Sequence, residues 1–118
     1  MLYNATCFKK IVLITGYSDL RHGIDGLASE LKYKYNMNPF EEDTIYLFCG
    51  RSAKKLKGLV WDKDGFLLLV KRLEADGRYQ WPRSKQEALS LSQEQFHWLM
   101  NGLSVVASIH PIRKKLTI

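Results

Sequence analysis

Four carboxylates, Asp62, Asp64, Glu74 and Asp76, are the residues that hydrolytic chemistry would require. A metal-dependent nuclease needs acids that converge on Mg²⁺. These four lie in or beside the turn sequences Asp64-Gly65 and Ala75-Asp76-Gly77, where Asp and Gly serve the backbone, so structural use is the stronger reading. The histidines, His22, His97 and His110, are scattered singly. Cys7 and Cys49 form no CxxC pair and have no histidine at ligand spacing, which argues against zinc; Cys49 closes the apolar run from Ile45 and reads as a buried thiol. There is no GxSxG, P-loop or Gly-rich dinucleotide turn, and Gly23-Ile24-Asp25-Gly26 falls inside a helical pattern. The sequence thus points to a protein with no catalytic residues, no metal site and no cofactor.

The residues that do concentrate are basic. Lys and Arg number 18 against 12 Asp and Glu, a net charge of +6. Such a surplus attracts polyanions. Arg51, Lys54, Lys55 and Lys57 form a cluster, Lys71 and Arg72 a pair, and Arg78 and Arg83 flank Tyr79 and Trp81. Cations beside aromatic rings suit nucleic acid, because phosphates pair while bases stack. The alternative is that Tyr79 and Trp81 cap the core and the cations are solvated; for Trp81 the core reading is the stronger, and for the Arg51 to Lys57 cluster the binding reading.

The 118 residues fit one domain, and 46% apolar with 25% charged is the balance of a soluble globular protein. The N-terminus has no secretory apolar region, and Ile11 to Ile14 is too short to span a membrane, so a reduced cytoplasm without membrane contact is expected.

Ile11 to Ile14, apolar throughout and β-branched, reads as a buried strand ended by Gly16. A first helix is expected from Ser18 or Asp19, either of which can cap it. Leu20, Ile24, Leu27, Ala28, Leu31 and Tyr35 share one helical face. Gly23 and Gly26 weaken that helix and fit a close approach of another backbone. Ile45 to Cys49 is the next strand. Leu56 to Asp62 and Phe66 to Glu74 read as a hairpin, with Arg78 to Trp81 returning as a third strand that Pro82 ends. Ser92 with Gln95 forms a capping box, and Phe96, Leu99, Met100 and Leu103 face the core of a second helix. The expected fold is α+β, an antiparallel meander packed with two main helices over residues 1–104, followed by a basic tail over 105–118.

A two-residue Asp64-Gly65 turn would set Trp61 opposite Leu68, Leu59 opposite Val70 and Lys57 opposite Arg72. The like-charged pair destabilises a sheet unless it lies in water or holds an anion. A three-residue loop at Ala75-Asp76-Gly77 would pair Glu74 with Arg78 and bring Lys71 to Trp81.

The chain resembles the TnpB accessory proteins, often called Orf-two-like, of the insertion-sequence class numbered sixty-six. The resemblance rests on Asp19-Leu20-Arg21, Gly23 with Asp25-Gly26-Leu27-Ala28, Asn38-Pro39-Phe40, and Leu47-Phe48 with Arg51. It is densest in Leu56-Lys57-Gly58-Leu59-Val60-Trp61-Asp62, Gly65-Phe66, Lys71-Arg72-Leu73-Glu74 and Trp81-Pro82-Arg83, and it closes with Leu91, Gln95 and Leu99. Lys54 and the basic tail depart from the pattern. The resemblance implies a non-catalytic helper of a bacterial mobile element, encoded beside a separate transposase. Two modes of action follow: DNA binding through the basic β-surface, or docking of the transposase without DNA contact.

Overall fold

The computed structural model describes residues 6–83 and 85–105, so the expected basic tail, with Arg113, Lys114 and Lys115, lies outside the described residues beyond Val105. The elements are β1 (Lys10–Ile14), α1 (Ile24–Tyr33), β2 (Thr44–Cys49), β3 (Lys55–Asp62), β4 (Gly65–Arg72), β5 (Ala88–Leu91) and α2 (Gln93–Met100). They build one five-stranded sheet in the order β4-β3-β2-β1-β5.

The sheet is mixed, not an antiparallel meander. β1 and β2 run parallel, Ile11 beside Ile45 and Leu13 beside Leu47, while the other three pairings are antiparallel. Parallel neighbours need a long crossover, and the stretch holding α1 supplies it. A strand between two neighbours, covered on both faces, must be apolar at successive positions. β1 and β2 meet that demand: Ile11 to Ile14 and Ile45 to Cys49 are all nearly inaccessible.

The pleat divides the core in two. On one face Val12, Ile14, Tyr46, Phe48 and Leu59 pack against Leu27 and Leu31 of α1. On the other, Ile11, Leu13, Ile45, Leu47, Leu56 and Val60 pack against Phe96 and Leu99 of α2 and against Tyr79 and Trp81.

Four local expectations need correction. α1 begins at Ile24 with Gly23 as its N-cap, not at Ser18 or Asp19. Asp19 instead accepts from the backbone N–H of Arg21 at 3.0 Å, closing a separate turn. No backbone approaches Gly26; a Cβ there would meet Cβ of His22 at 2.9 Å, and nothing lies within 4 Å of a Cβ at Gly23. The β3–β4 turn is Lys63-Asp64, with Lys63 at φ 56°, so Asp62 pairs with Gly65 and Trp61 with Phe66. That register is supported by three rings, Trp61 meeting Phe66 at 5.0 Å and Phe40 at 5.1 Å between centroids. Finally, α2 keeps its capping box, Ser92 Oγ accepting from the Gln95 N–H at 3.0 Å, but Gly102 at φ 80° ends it early and leaves Leu103 52% exposed.

Arg78 to Trp81 is not a strand. The chain turns at Ala75-Asp76, where Gly77 N–H reaches the Glu74 carbonyl at 3.1 Å, and then crosses one end of the sheet. The Tyr79 N–H donates to the Ala53 carbonyl at 2.7 Å, and the Trp81 indole N–H donates to the Ile14 carbonyl at 2.8 Å. A four-residue strand missed in the sequence, β5, takes the outer position beside β1 instead.

Tyr79 and Trp81 are 3% and 4% exposed, so both rings are core. Their polar atoms differ: the indole N–H is bonded, whereas the Tyr79 hydroxyl has no hydrogen-bond partner among the described residues. Removing an orphaned hydroxyl is neutral or favourable, and removing a bonded group from a filled site is not. Tyr79→Phe is therefore expected to change unfolding free energy by less than about 1 kcal/mol, or to raise it. Trp81→Phe is expected to lower it by about 2–4 kcal/mol. Urea titrations of both variants check this.

Candidate nucleic-acid interface

Strand direction decides where the charges collect. Because β1 and β2 are parallel, both carboxyl ends emerge at one end of the sheet. Pairing brings the start of β3, the end of β4 and the start of β5 to the same end, since Cys49 faces Leu56, Lys55 faces Arg72 and Ile14 faces Ala88. The loops and strand ends there carry Arg21, Arg51, Lys54, Lys55, Lys71, Arg72, Arg78 and Arg83. At the opposite end the flanking residues Glu41, Glu42, Asp43, Asp62 and Asp64 are acidic; Lys63 stands between the last two, and Lys10 and Lys9 there are paired with Glu41 at 3.0 Å and Asp43 at 3.7 Å. The four carboxylates weighed for metal chemistry are split between the two ends, Asp62 and Asp64 at one and Glu74 and Asp76 at the other.

The cationic end has finer structure. Lys55 and Arg72 are directly opposed, a like-charged pair of the kind expected, although Lys57 itself faces Val70. Lys55, Lys57 and Arg72 lie on the α1 face, whereas Lys71 faces Leu56 and points to the other side. Several cations are already engaged. Lys57 Nζ donates to the His22 carbonyl at 3.1 Å, Lys54 Nζ to the Ala75 carbonyl at 3.1 Å, and Arg78 to the Ser52 carbonyl at 2.7 Å. Arg72 pairs with Glu74 at 2.9 Å, which replaces the expected Glu74–Arg78 pair. The backbone-held cations keep their full charge, since a carbonyl does not neutralise them.

Tyr79 and Trp81 do not flank this surface as stacking platforms, and Lys71 does not meet Trp81: burial of both rings leaves no face for a base. They meet each other edge-on at 6.3 Å between centroids. The exposed aromatic at the cationic end is Tyr17, which the sequence reading passed over. It is 44% exposed, with the Arg83 guanidinium 4.4 Å and the Arg51 guanidinium 5.1 Å from its ring centre. Arg21 fell within the expected first helix and Tyr17 just before it; their signal is position, after the Gly16 that ends a buried strand.

Two adjoining hollows open here. The larger, about 790 Å³, lies between the loops after β1 and β2 and is lined by Tyr17, Ser18, Arg21, Arg51, Ser52 and Lys55 among others. The second, about 430 Å³, shares Tyr17, Arg51 and Ser52 and adds Arg78 and Arg83. Asp19, the single acidic residue lining either, is bound on both oxygens by the Arg21 guanidinium at 2.9 and 2.8 Å, which holds its carboxyl well below the usual carboxylate range.

No helix of the described residues is long and apolar enough to cross a membrane. With the fold and this surface in view, the chain falls in a class of small α+β accessory proteins of insertion sequences. It belongs to the IS66 Orf2-like family, whose model matches residues 9–109. It is also similar to two uncharacterized proteins of Sinorhizobium fredii, y4hO and y4jC. Each is 32% identical over 94 residues, covering 80% of this chain and 80% and 79% of the respective relatives. No solved structure matches.

The core holds three buried weak acids, Cys49 and Tyr79 toward the cationic end and Tyr46, whose hydroxyl donates to the Asn38 carbonyl at 2.7 Å, toward the other. Burial pushes the Cys49 thiol up to about 11 against the opposing pull of Arg83, and burial pushes the phenols of Tyr46 and Tyr79 up to about 12. Each is neutral when folded, while the unfolded chain releases the same protons nearer 9 and 10. The stability they contribute is therefore fully present below about pH 9 and is lost as pH rises toward 11 to 12. Melting temperature is expected to be flat from pH 7 to about 9 and to fall steeply above it, and Tyr79→Phe to blunt the fall. Thermal melts across that range check both.

Proposed function

We propose that this chain assists transposition of its insertion sequence by binding DNA through the cationic end of its sheet. The observation that carries the reading is an excess of charge: eight cations from five loops or strand ends gather at one end against Asp19, Glu74 and Asp76, while five acids flank the other end beside Lys9, Lys10 and Lys63. Solubility alone requires no such separation, because interspersed charges serve it as well. Arg51, Lys55, Arg78 and Arg83 present charge outward and contact phosphates, Arg21 beside them being paired with Asp19; Lys54, Lys71 and Arg72 extend the same field, and Lys57 contributes from the α1 face. Phosphate contacts set register but carry little sequence information, so binding is weak, salt-sensitive and mostly non-specific. The protein acts without chemistry of its own, in the cytoplasm.

A second reading has its own observation. β4 is an edge strand of eight residues with Leu67 49% and Val70 55% exposed, one on each face. Exposed apolar edges are templates for strand addition. On this reading the element-encoded transposase docks along β4 through Lys71-Arg72 and the adjoining apolar side chains, and DNA contact is indirect.

With about four phosphate contacts engaged, log affinity for duplex DNA is expected to fall against log salt with a slope near −3.6. Fluorescence anisotropy on an element-end duplex measures it, and a slope near zero removes the DNA reading. Co-purification with the transposase that survives nuclease digestion would favour the β4 reading.

A further inference from the structure

We propose that the cleft between the loops after β1 and β2 is a discrete phosphate-binding site, and that a phosphate of a DNA strand is its ligand. This deepens the DNA-binding reading above and rests on it, but it says more than that positive charge attracts DNA. It places a defined pocket within the field, where Arg51 and Lys55 of the basic cluster meet Tyr17, Ser18 and Arg83 from outside it.

The case begins with charge compensation. Arg51 and Arg83 lean on one tyrosine ring, at 5.1 and 4.4 Å from its centre, and neither has a carboxylate partner among the described residues. The carboxylate that could have served them, Asp19, is taken on both oxygens by Arg21. Lys55, also lining the cleft, has no ion pair among the described residues and faces Arg72 across the hairpin. Guanidinium groups gathered this closely repel one another, and an anion between them removes the repulsion. A phosphate suits them best, because its oxygens accept the paired N–H groups of an arginine fork.

The second line is a polar atom. Ser18 lines the cleft and is 8% exposed, yet its hydroxyl has no hydrogen-bond partner among the described residues. Buried polar atoms are normally satisfied. The Ser18 backbone is fixed beside the cleft, its N–H donating to the Cys49 carbonyl at 2.8 Å. The hydroxyl is covered as it stands, and a rotation about the Cα–Cβ bond toward the cleft would let it donate to a phosphate oxygen. Trp81 and the Gly16 N–H, which donates to the Pro82 carbonyl at 2.8 Å, anchor the strap that carries Arg83 across from Arg51. Tyr17 is a positioning residue: an uncharged, flat spacer that keeps two guanidiniums together without neutralising either.

The two hollows join at Tyr17, Arg51 and Ser52, one running to Arg21 and Lys55 and the other to Arg78 and Arg83. That shape admits a strand passing through, and it admits a strand end equally well. The same chemistry serves an internal phosphodiester and a terminal phosphate.

The test compares two double variants that remove equal charge from the same end of the sheet. Arg51→Gln with Arg83→Gln removes the two guanidiniums that lean on Tyr17, and Lys71→Gln with Arg72→Gln leaves the cleft intact. Each is titrated by anisotropy against one short duplex, with and without a 5′-phosphate, after a thermal melt confirms the fold. The cleft double is expected to weaken binding at least about tenfold more than the strand double. Tyr17→Leu, which removes no charge, is expected to weaken binding about threefold to tenfold while leaving the salt slope unchanged. Tighter binding of the 5′-phosphorylated duplex by wild type, lost in the cleft double, assigns the ligand as a strand end. Equal binding of the two duplexes, with the same difference between the doubles, assigns internal phosphodiesters. Equal losses in the two doubles overturn the site and leave general DNA binding standing. Failure of wild type to bind either duplex overturns both.

Discussion

The parallel pairing of β1 with β2 is the constraint on which the rest depends. Two strands that lie side by side in the same direction must be joined by a crossover, must be covered on both faces, and must release their loops at the same end. α1 supplies the crossover and one cover; α2 with Tyr79 and Trp81 supplies the other. The loops released together are Gly16 to Gly23 and Gly50 to Lys54, and they form the walls of the cationic cleft. Were the pair antiparallel, Tyr17 and Arg51 would stand at opposite ends of the sheet, and neither the cleft nor the charge separation would exist.

The stretch from Arg78 to Arg83 shows how core and surface are built from one segment. Arg78, Gln80 and Arg83 are exposed, while Tyr79 and Trp81 are buried. The alternation of aromatic and basic residues, which in sequence resembles a stacking surface, is an anchor-and-display arrangement. The rings dock under the sheet and the guanidiniums are thereby held out over its end. Stability and binding thus use the same residues in alternation. The indole bond to the Ile14 carbonyl links the last residue of β1 to the position of Arg83.

Much of the fold was legible, and the parts that were not have specific reasons. The apolar runs of β1 and β2, the β3–β4 hairpin and the Ser92–Gln95 box announce themselves through local rules. Parallel direction does not, because a short run apolar at every position fits either orientation once both faces are covered. β5 was unreadable: Ala88 to Leu91 is four residues, and its partner β1 is more than seventy positions away. The hairpin register moved by two because the Trp61–Phe66 ring contact outweighed the turn preference of Asp64-Gly65, and an even shift preserves which face each residue takes. Of the basic residues, the loop and strand-end positions were found by composition alone. Tyr17, Ser18 and Arg21 were missed because their importance comes from topology, from following a strand whose carboxyl end is shared.

A single map of the protein in contact with DNA bears most directly on this account. Backbone amide chemical shifts of isotope-labelled protein, titrated with a short duplex at low salt, report which surface is touched. Perturbations are expected to be confined to residues 16–23, 50–55 and 71–83, with the acidic end at 41–44 and 62–65 unmoved. Shifts running along the β4 edge, or none anywhere, would contradict it.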